Sequence, residues 1–80
     1  MQPKVTFPEL RAVMARYGVT QNDLSTLVGD SSHTFGKKIN ALAEFTFNDM
    51  VEIKEYFRQK GEVNLTVDSL FFEWNFTIVK

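Results

Sequence analysis

Apolar positions along the chain recur with the spacing of short amphipathic helices. In the first such segment they follow the order i, i+3, i+4, i+7, which places them on one helix face; these residues are Leu10, Val13, Met14 and Tyr17. Four further stripes predict four more helices, whose inward-facing residues would be Leu24, Leu27 and Val28; Phe35, Ile39 and Leu42; Phe47, Met50, Ile53 and Phe57; and Val67, Leu70 and Phe71. The pattern therefore predicts an all-α chain of five short helices.

Capping and turn residues separate these stripes. Residues that favour helix starts lie just before each one; they are Pro8, Thr20, Ser31 or Ser32, Thr46 or Asn48, and Thr66. Thr20 with Asp23 resembles a capping box. Glycines that favour helix ends follow three of the stripes; they are Gly18, Gly29 and Gly61. The helices should therefore be joined by short turns.

The end of the chain changes period. From residue 72 onward, apolar and polar residues alternate, which is typical of a β-strand; the apolar members are Phe72, Trp74, Phe76 and Ile78. A lone strand needs a partner. Its apolar face could fold back over the helices of a monomer, or it could join a second subunit, and we expect a homodimer formed through these four residues. The chain thus divides into a domain of residues 1–71 and a short strand-like tail of residues 72–80.

Composition excludes several classes of protein. Eighty residues suffice for one domain and not for a two-domain enzyme. The absence of cysteine removes disulfides, thiolate catalysis and cysteine-ligated metals, and one histidine cannot form a His-rich metal site, so we expect no cofactor. No apolar run approaches the length of a membrane span, and no signal segment is visible. We therefore expect a soluble, cytoplasmic protein with no membrane partner.

Charge is unevenly distributed, although the net charge is only −1. Residues 1–43 contain five basic and three acidic side chains, whereas residues 44–80 contain four basic and seven acidic ones. This asymmetry favours the first half as the side that faces a polyanion.

Two of the predicted helices, joined across Gly29, form a helix-turn-helix within residues 18–39. The turn contains Asp30, Ser31, Ser32 and His33, which include the side-chain types of a hydrolase triad. Neighbours in one turn diverge, however, whereas a triad requires distant residues that converge beside an oxyanion hole. We therefore predict that the chain is not an enzyme.

Several segments around this motif resemble the Cro/C1-type (XRE-type) helix-turn-helix regulators of phages and bacteria. The similarity covers roughly residues 8–60, and its most specific part is Thr20-Gln21 followed by Leu24. The other matching segments are residues 27–29, 37–40 and 44–47, and the family's common Leu-Phe-Phe ending corresponds to residues 70–72.

The resemblance implies a compact, five-helix, lambda-repressor-like bundle whose third helix enters the DNA major groove. It also implies a phage or prophage repressor that binds a double-stranded DNA operator as a dimer. By position, the residues implied in DNA binding are Gln21, Ser31, Ser32, His33, Thr34, Lys37, Lys38 and Asn40. Of these, Lys38 and Asn40 correspond to residues that meet the phosphate backbone.

Departures from the family pattern, which include Leu42-Ala43 in place of a basic pair, and the acidic second half of the chain favour an alternative function. Asp30 replaces an aliphatic residue in the turn, Gly36 lies inside the third helix, and Ala41 replaces the glycine after Asn40. Arginine, the commonest residue that contacts guanine, is absent from residues 31–43. The alternative is a protein-interaction module on the same fold, such as an antirepressor that binds a phage repressor.

Overall fold

The computed structural model describes residues 6–72, and this part of the chain folds into five α-helices with no strand. The helices are α1 (Pro8–Tyr17), α2 (Gln21–Val28), α3 (Ser32–Ile39), α4 (Phe47–Lys60) and α5 (Val67–Phe71). The all-α class and the order of five helices are therefore confirmed.

Side-chain caps begin four of the helices. In each, a hydroxyl accepts a hydrogen bond from the backbone N–H three residues later; the capping residues are Thr20, Ser31, Thr46 and Thr66. In α2 and α4 the third helical residue, Asp23 or Asp49, accepts a hydrogen bond from the backbone N–H of the cap residue and completes a capping box. These local bonds explain why the predicted helix starts agree with the structure.

The turn between α2 and α3 depends on Gly29, which has a φ of 81°. The left-handed conformation costs an L-residue about 1–2 kcal/mol, so glycine is favoured here. The backbone N–H of the next residue, Asp30, donates to the carbonyl of Ser25 at 2.9 Å and closes the end of α2. The chain can then start α3 after only three residues, as the helix-turn-helix requires.

The core is formed by apolar side chains from all five helices. Its fully or almost fully buried members are Leu10, Val13, Met14, Val19, Leu24, Phe35, Ile39, Phe45, Ile53, Phe57, Leu70 and Phe71. Tyr17, Val28, Met50 and Val67 are partly buried and pack against this cluster. Most predicted inward-facing residues are therefore in the core.

Three predicted core residues lie elsewhere. Leu42 is 75% exposed because α3 ends at Ile39, so the helical spacing does not extend to residue 42. Phe47 is 73% exposed because it is the first residue of α4, while Phe45, just before the cap, is buried instead. Leu27 is 36% exposed, and Ser25 is the buried neighbour of Leu24 on α2.

Of the four tail residues, Phe72 lies within the described range and is 40% exposed. Trp74, Phe76 and Ile78 lie outside it. No helix within residues 6–72 has the length and apolar character needed to cross a bilayer.

Candidate nucleic-acid interface

The helix α3 has one buried face and one exposed face. Phe35 and Ile39 are fully buried on the inner side, whereas Ser32, His33 and Lys37 are exposed on the other. α2 packs directly against α3 and contributes the buried Leu24. The helix is thus fixed in the bundle while its polar side remains accessible.

Two of the predicted DNA-binding residues are used to build the start of α3. The Ser31 hydroxyl accepts from the backbone N–H of Thr34 at 3.1 Å and donates to the Thr34 hydroxyl at 3.0 Å. This cap orders the first turn. Ser31 and Thr34 therefore determine where the neighbouring side chains point, and their own hydroxyls are already hydrogen-bonded.

The start of α2 lies beside the start of α3. The Ser32 hydroxyl donates to Oδ1 of Asn22 at 2.7 Å, across the two helices. A Cβ placed on Gly36 would lie 3.9 Å from Oε1 of Gln21, so the Gln21 side chain lies close to α3 at this glycine. Gln21, Ser32 and Gly36 therefore belong to one continuous surface.

An open depression of about 280 Å³ lies along the exposed side of α3. It is lined by Ser32, His33, Gly36, Lys37, Asn40 and Leu42. Four of these six residues were predicted to bind DNA, and the structure brings them together on one face. Of the other two residues, Gly36 has no side chain, and Leu42 adds an exposed apolar side chain.

Lys38 does not belong to this face. It was expected to meet phosphate, but its side chain is only 11% exposed and its ammonium is paired with two carboxylates. Nζ lies 2.8 Å from Oδ2 of Asp30 and 2.7 Å from Oδ2 of Asp49. This geometry leaves the Lys38 ammonium no free approach to a phosphate, and Lys38 compensates the charge of Asp30 within the bundle.

The ionic state of this cluster follows from competing effects. Burial acts to lower the pKa of Lys38, but the hydrogen bonds and charges of Asp30 and Asp49 outweigh it and raise the pKa. Burial acts to raise the pKa of Asp49, but Lys38 and the Thr46 backbone N–H outweigh it and lower the pKa. Lys38 and Asp49 are therefore both charged at neutral pH.

Asn40, at the end of α3, is fixed by Arg11 of α1. The guanidinium Nη2 donates to Oδ1 of Asn40 at 3.0 Å and to the Ile39 carbonyl at 3.2 Å. The Arg11 Nε also donates to the carbonyl of Thr6 at 2.6 Å. Arg11 therefore adds a positive charge at the C-terminal end of α3 without any carboxylate among these hydrogen-bond partners.

Sequence reasoning missed Asn22, Arg11 and Asp49 as residues that shape this site. Asn22 is ten residues from Ser32, Asp49 is eleven from Lys38, and Arg11 is 29 from Asn40. None of these pairs has a spacing that one helix would bring together. The capping-box position of Asp49 after Thr46 was the only available signal, and it does not indicate a partner on α3.

Within residues 6–72, no group of three or more histidine or carboxylate side chains is arranged to hold a metal ion. Comparison of the chain with models of known protein families, with curated proteins and with solved structures gave no significant match.

Proposed function

We propose that this protein is a DNA-binding transcriptional regulator that inserts α3 into the major groove. The proposal rests on one observation, the open depression along the exposed side of α3, in which Ser32, His33, Lys37 and Asn40 lie together. Gln21, Ser32, His33 and Lys37 would contact base edges and nearby phosphates, and Asn40 would contact the backbone. A regulator of this kind would act in the cytoplasm by blocking or redirecting polymerase.

The chemistry of these side chains supports the proposal. His33 and Lys37 offer hydrogen-bond donors of the kind that contact acceptors on base edges, and the Ser32 hydroxyl, whose proton is donated to Asn22, can accept from a base-edge donor. Lys37 is exposed, and within residues 6–72 no ion pair joins it to a carboxylate. Arg11 supplies a second cation at the end of α3. With few cations on this face, affinity should depend strongly on the base contacts and only moderately on phosphate.

The test measures binding to duplex DNA from the region flanking the protein's own gene, by mobility shift and fluorescence anisotropy over a range of salt concentrations. The competitor is unrelated duplex DNA. Lys37→Ala and Ser32→Ala are compared with Lys54→Ala, a lysine on α4 that lines no part of the depression. Circular dichroism confirms that each variant is folded.

We expect Lys37→Ala to weaken binding and to reduce the slope of log affinity against log salt by about 1, since one phosphate contact is lost. Ser32→Ala should reduce the preference for specific over unrelated DNA with little change in slope, because a base contact carries sequence information. Lys54→Ala should match the wild type. Wild-type binding by both α3 variants would refute the site, and no shift at low salt would refute DNA binding.

A second candidate function is favoured by Lys38, which is paired with carboxylates inside the bundle, and by the exposed Leu42 and Phe47, which make the surface less positive and more apolar. The alternative is a protein-interaction module that binds a phage repressor. An apolar protein interface should be far less sensitive to salt than phosphate contacts. Tight binding to a repressor that persists as salt rises, without any DNA complex, would favour this alternative.

A further inference from the structure

An apolar groove of about 480 Å³ lies between the α3–α4 loop and the end of α5. Its lining includes Ala43, Phe45, Met50, Phe71 and Phe72, together with the charged Glu44. The rings of Phe45 and Phe71 lie 5.0 Å apart in an edge-to-face arrangement and are almost fully buried. A groove of aromatic rings and a methionine favours aromatic side chains, because edge-to-face ring contacts and sulfur–ring contacts both stabilise them.

The described chain ends at this groove. Phe71 and Phe72 line it, and Phe72 is 40% exposed. Eight residues follow Phe72, and in the sequence their apolar members alternate with polar ones. In an extended segment, side chains two residues apart share a face and lie about 7 Å from each other. Trp74 would therefore share the face of Phe72 and lie next along the groove.

We propose that the groove is the docking site for residues 73–80 of the same chain, with Trp74 as its main occupant and Phe76 and Ile78 following. The segment starts at the groove, so its local concentration there is set by a very short tether. Short flexible tethers give effective concentrations in the millimolar range, far above those at which a second copy would compete. This assignment replaces the homodimer that we expected from the tail, and it does not depend on DNA binding.

Docking in this way would cover the apolar residues of the tail, since soluble monomers rarely leave a large apolar patch exposed. The α3–α4 loop would then separate two surfaces with different roles. Ala43 and Phe45 line the groove, whereas Asn40 and Leu42 line the depression beside α3. The full chain should therefore be a monomer in solution, and any pairing on an operator would use another surface.

Trp74 provides the test because it is the single tryptophan of the chain. Its emission and its quenching by acrylamide are measured on the full-length protein at nanomolar and at high micromolar concentration, alongside sedimentation equilibrium. Ala43→Arg places a long charged side chain in the groove, and Ala15→Arg makes the same change at an exposed position of α1. Circular dichroism and urea unfolding establish that both variants are folded.

We expect Trp74 to be shielded equally at both concentrations and the protein to sediment as a monomer of 9.2 kDa. Ala43→Arg should shift the emission to the red and increase quenching, whereas Ala15→Arg should not. Solvent-exposed Trp74 in the wild type, or unchanged emission in a folded Ala43→Arg, would overturn the proposal. Shielding that disappears on dilution of a dimer would assign the groove to a second copy and would also overturn it.

A second measurement needs no variant, in case Ala43→Arg fails to fold. Nuclear Overhauser effects between the Trp74 indole and the methyl groups of Ala43 or Met50 are recorded on uniformly labelled wild type. An isotope-filtered experiment on mixed labelled and unlabelled protein then detects contacts between copies. Contacts in the first experiment and none in the second support the proposal; no contacts in the first, or contacts in the second, contradict it.

Discussion

The carboxylate of Asp49 contacts both Lys38 and the start of its own helix. Oδ2 of Asp49 accepts a hydrogen bond from Nζ of Lys38 at 2.7 Å and from the backbone N–H of Thr46 at 3.1 Å. The same side chain therefore completes the capping box of α4 and binds a lysine of α3. This contact fixes the position of α3, the helix that we propose enters DNA. It also holds Lys38, one of the two lysines of α3, away from the surface that we propose DNA contacts.

Replacing Lys38 should destabilise the fold without acting through DNA contacts. Lys38→Ala leaves the carboxylates of Asp30 and Asp49 largely buried and without their partner. Breaking a buried pair in this way typically costs about 3–5 kcal/mol. Lys37→Ala, one residue away on the exposed side, should change the free energy of unfolding by no more than about 0.5 kcal/mol. Urea unfolding measures both, and similar losses for the two variants would contradict the assignment of Lys38 to the interior.

The stability of the protein should fall in acid partly through Asp49. Its pKa is lowered in the folded state, because Lys38 and the Thr46 backbone N–H outweigh the effect of burial. A lowered carboxyl pKa contributes stability above the ordinary aspartate value of about 3.9, and this contribution is lost as pH falls through the folded value.

The comparison of wild type with Asp49→Asn isolates this contribution. At about pH 7 the variant should be less stable by about 1–3 kcal/mol, because a charged hydrogen bond to Lys38 is lost. At about pH 3 the difference should shrink, because the unfolded wild type takes up a proton on Asp49 more readily than the folded protein, in which the pKa of Asp49 is lowered. Urea midpoints at both values give the result, and a deficit of equal size at both would exclude Asp49 as a source of the pH dependence.

The sequence predicted those features that depend on residues close together in the chain. Thr20 and Asp23 are three residues apart, so their capping box and the start of α2 were predictable. The exposed side of α3 was also predicted in part, because the positions of Ser32, His33 and Lys37 follow from the position of the helix. The sequence could not predict that the Lys38 side chain points into the bundle, since Asp30 and Asp49 come close to it only after α3 and α4 pack. Phe47 fits the helical spacing, but the structure buries Phe45 instead, and the pattern does not distinguish between them.

The exposure of Phe47 makes a clear contrast with Phe57 on the same helix. Phe47 is 73% exposed, whereas Phe57 is fully buried. Phe57→Ala should cost about 3–5 kcal/mol through lost burial and the cavity that remains. Phe47→Ala should change stability by about 0.5 kcal/mol or less. Thermal or urea unfolding compares the two, and a loss of several kcal/mol for Phe47→Ala would mean that its ring is buried in solution, against a second copy or the tail.

The end of α3 is strained at Ala41, and glycine should relieve this strain. Ala41 has a φ of 63°, and the N–H groups of Ala41 and Leu42 donate to the carbonyls of Lys38 and Lys37. This is a Schellman arrangement, in which the left-handed position is usually glycine. Ala41→Gly should therefore raise the free energy of unfolding by about 1 kcal/mol.

Ala43→Gly is the matched control for Ala41→Gly, because residue 43 is not among those with positive φ. There glycine adds conformational freedom to the unfolded chain and removes a methyl group from the wall of the apolar groove, so the control should lose at least about 0.4–1 kcal/mol. Opposite signs for the two changes support the geometry of the loop. A loss of stability in Ala41→Gly would show that the left-handed turn at residue 41 is absent in solution.

A substitution at Gly36 should change the stability of the protein and its affinity for DNA in opposite directions. Gly36 lies within α3 and lines the depression, and an added Cβ would meet only Oε1 of Gln21, at an ordinary contact distance of 3.9 Å. Gly36→Ala should therefore stabilise the protein by about 0.5–1 kcal/mol, since alanine favours the helix more than glycine does.

If α3 enters the major groove at this face, the added methyl group of Gly36→Ala keeps the DNA further from the helix. The affinity for DNA should then fall while the stability of the protein rises. Urea unfolding and fluorescence anisotropy on the same preparations measure the two effects. Higher stability with unchanged DNA affinity would show that DNA does not approach α3 at Gly36, and would move the contact surface elsewhere on the bundle.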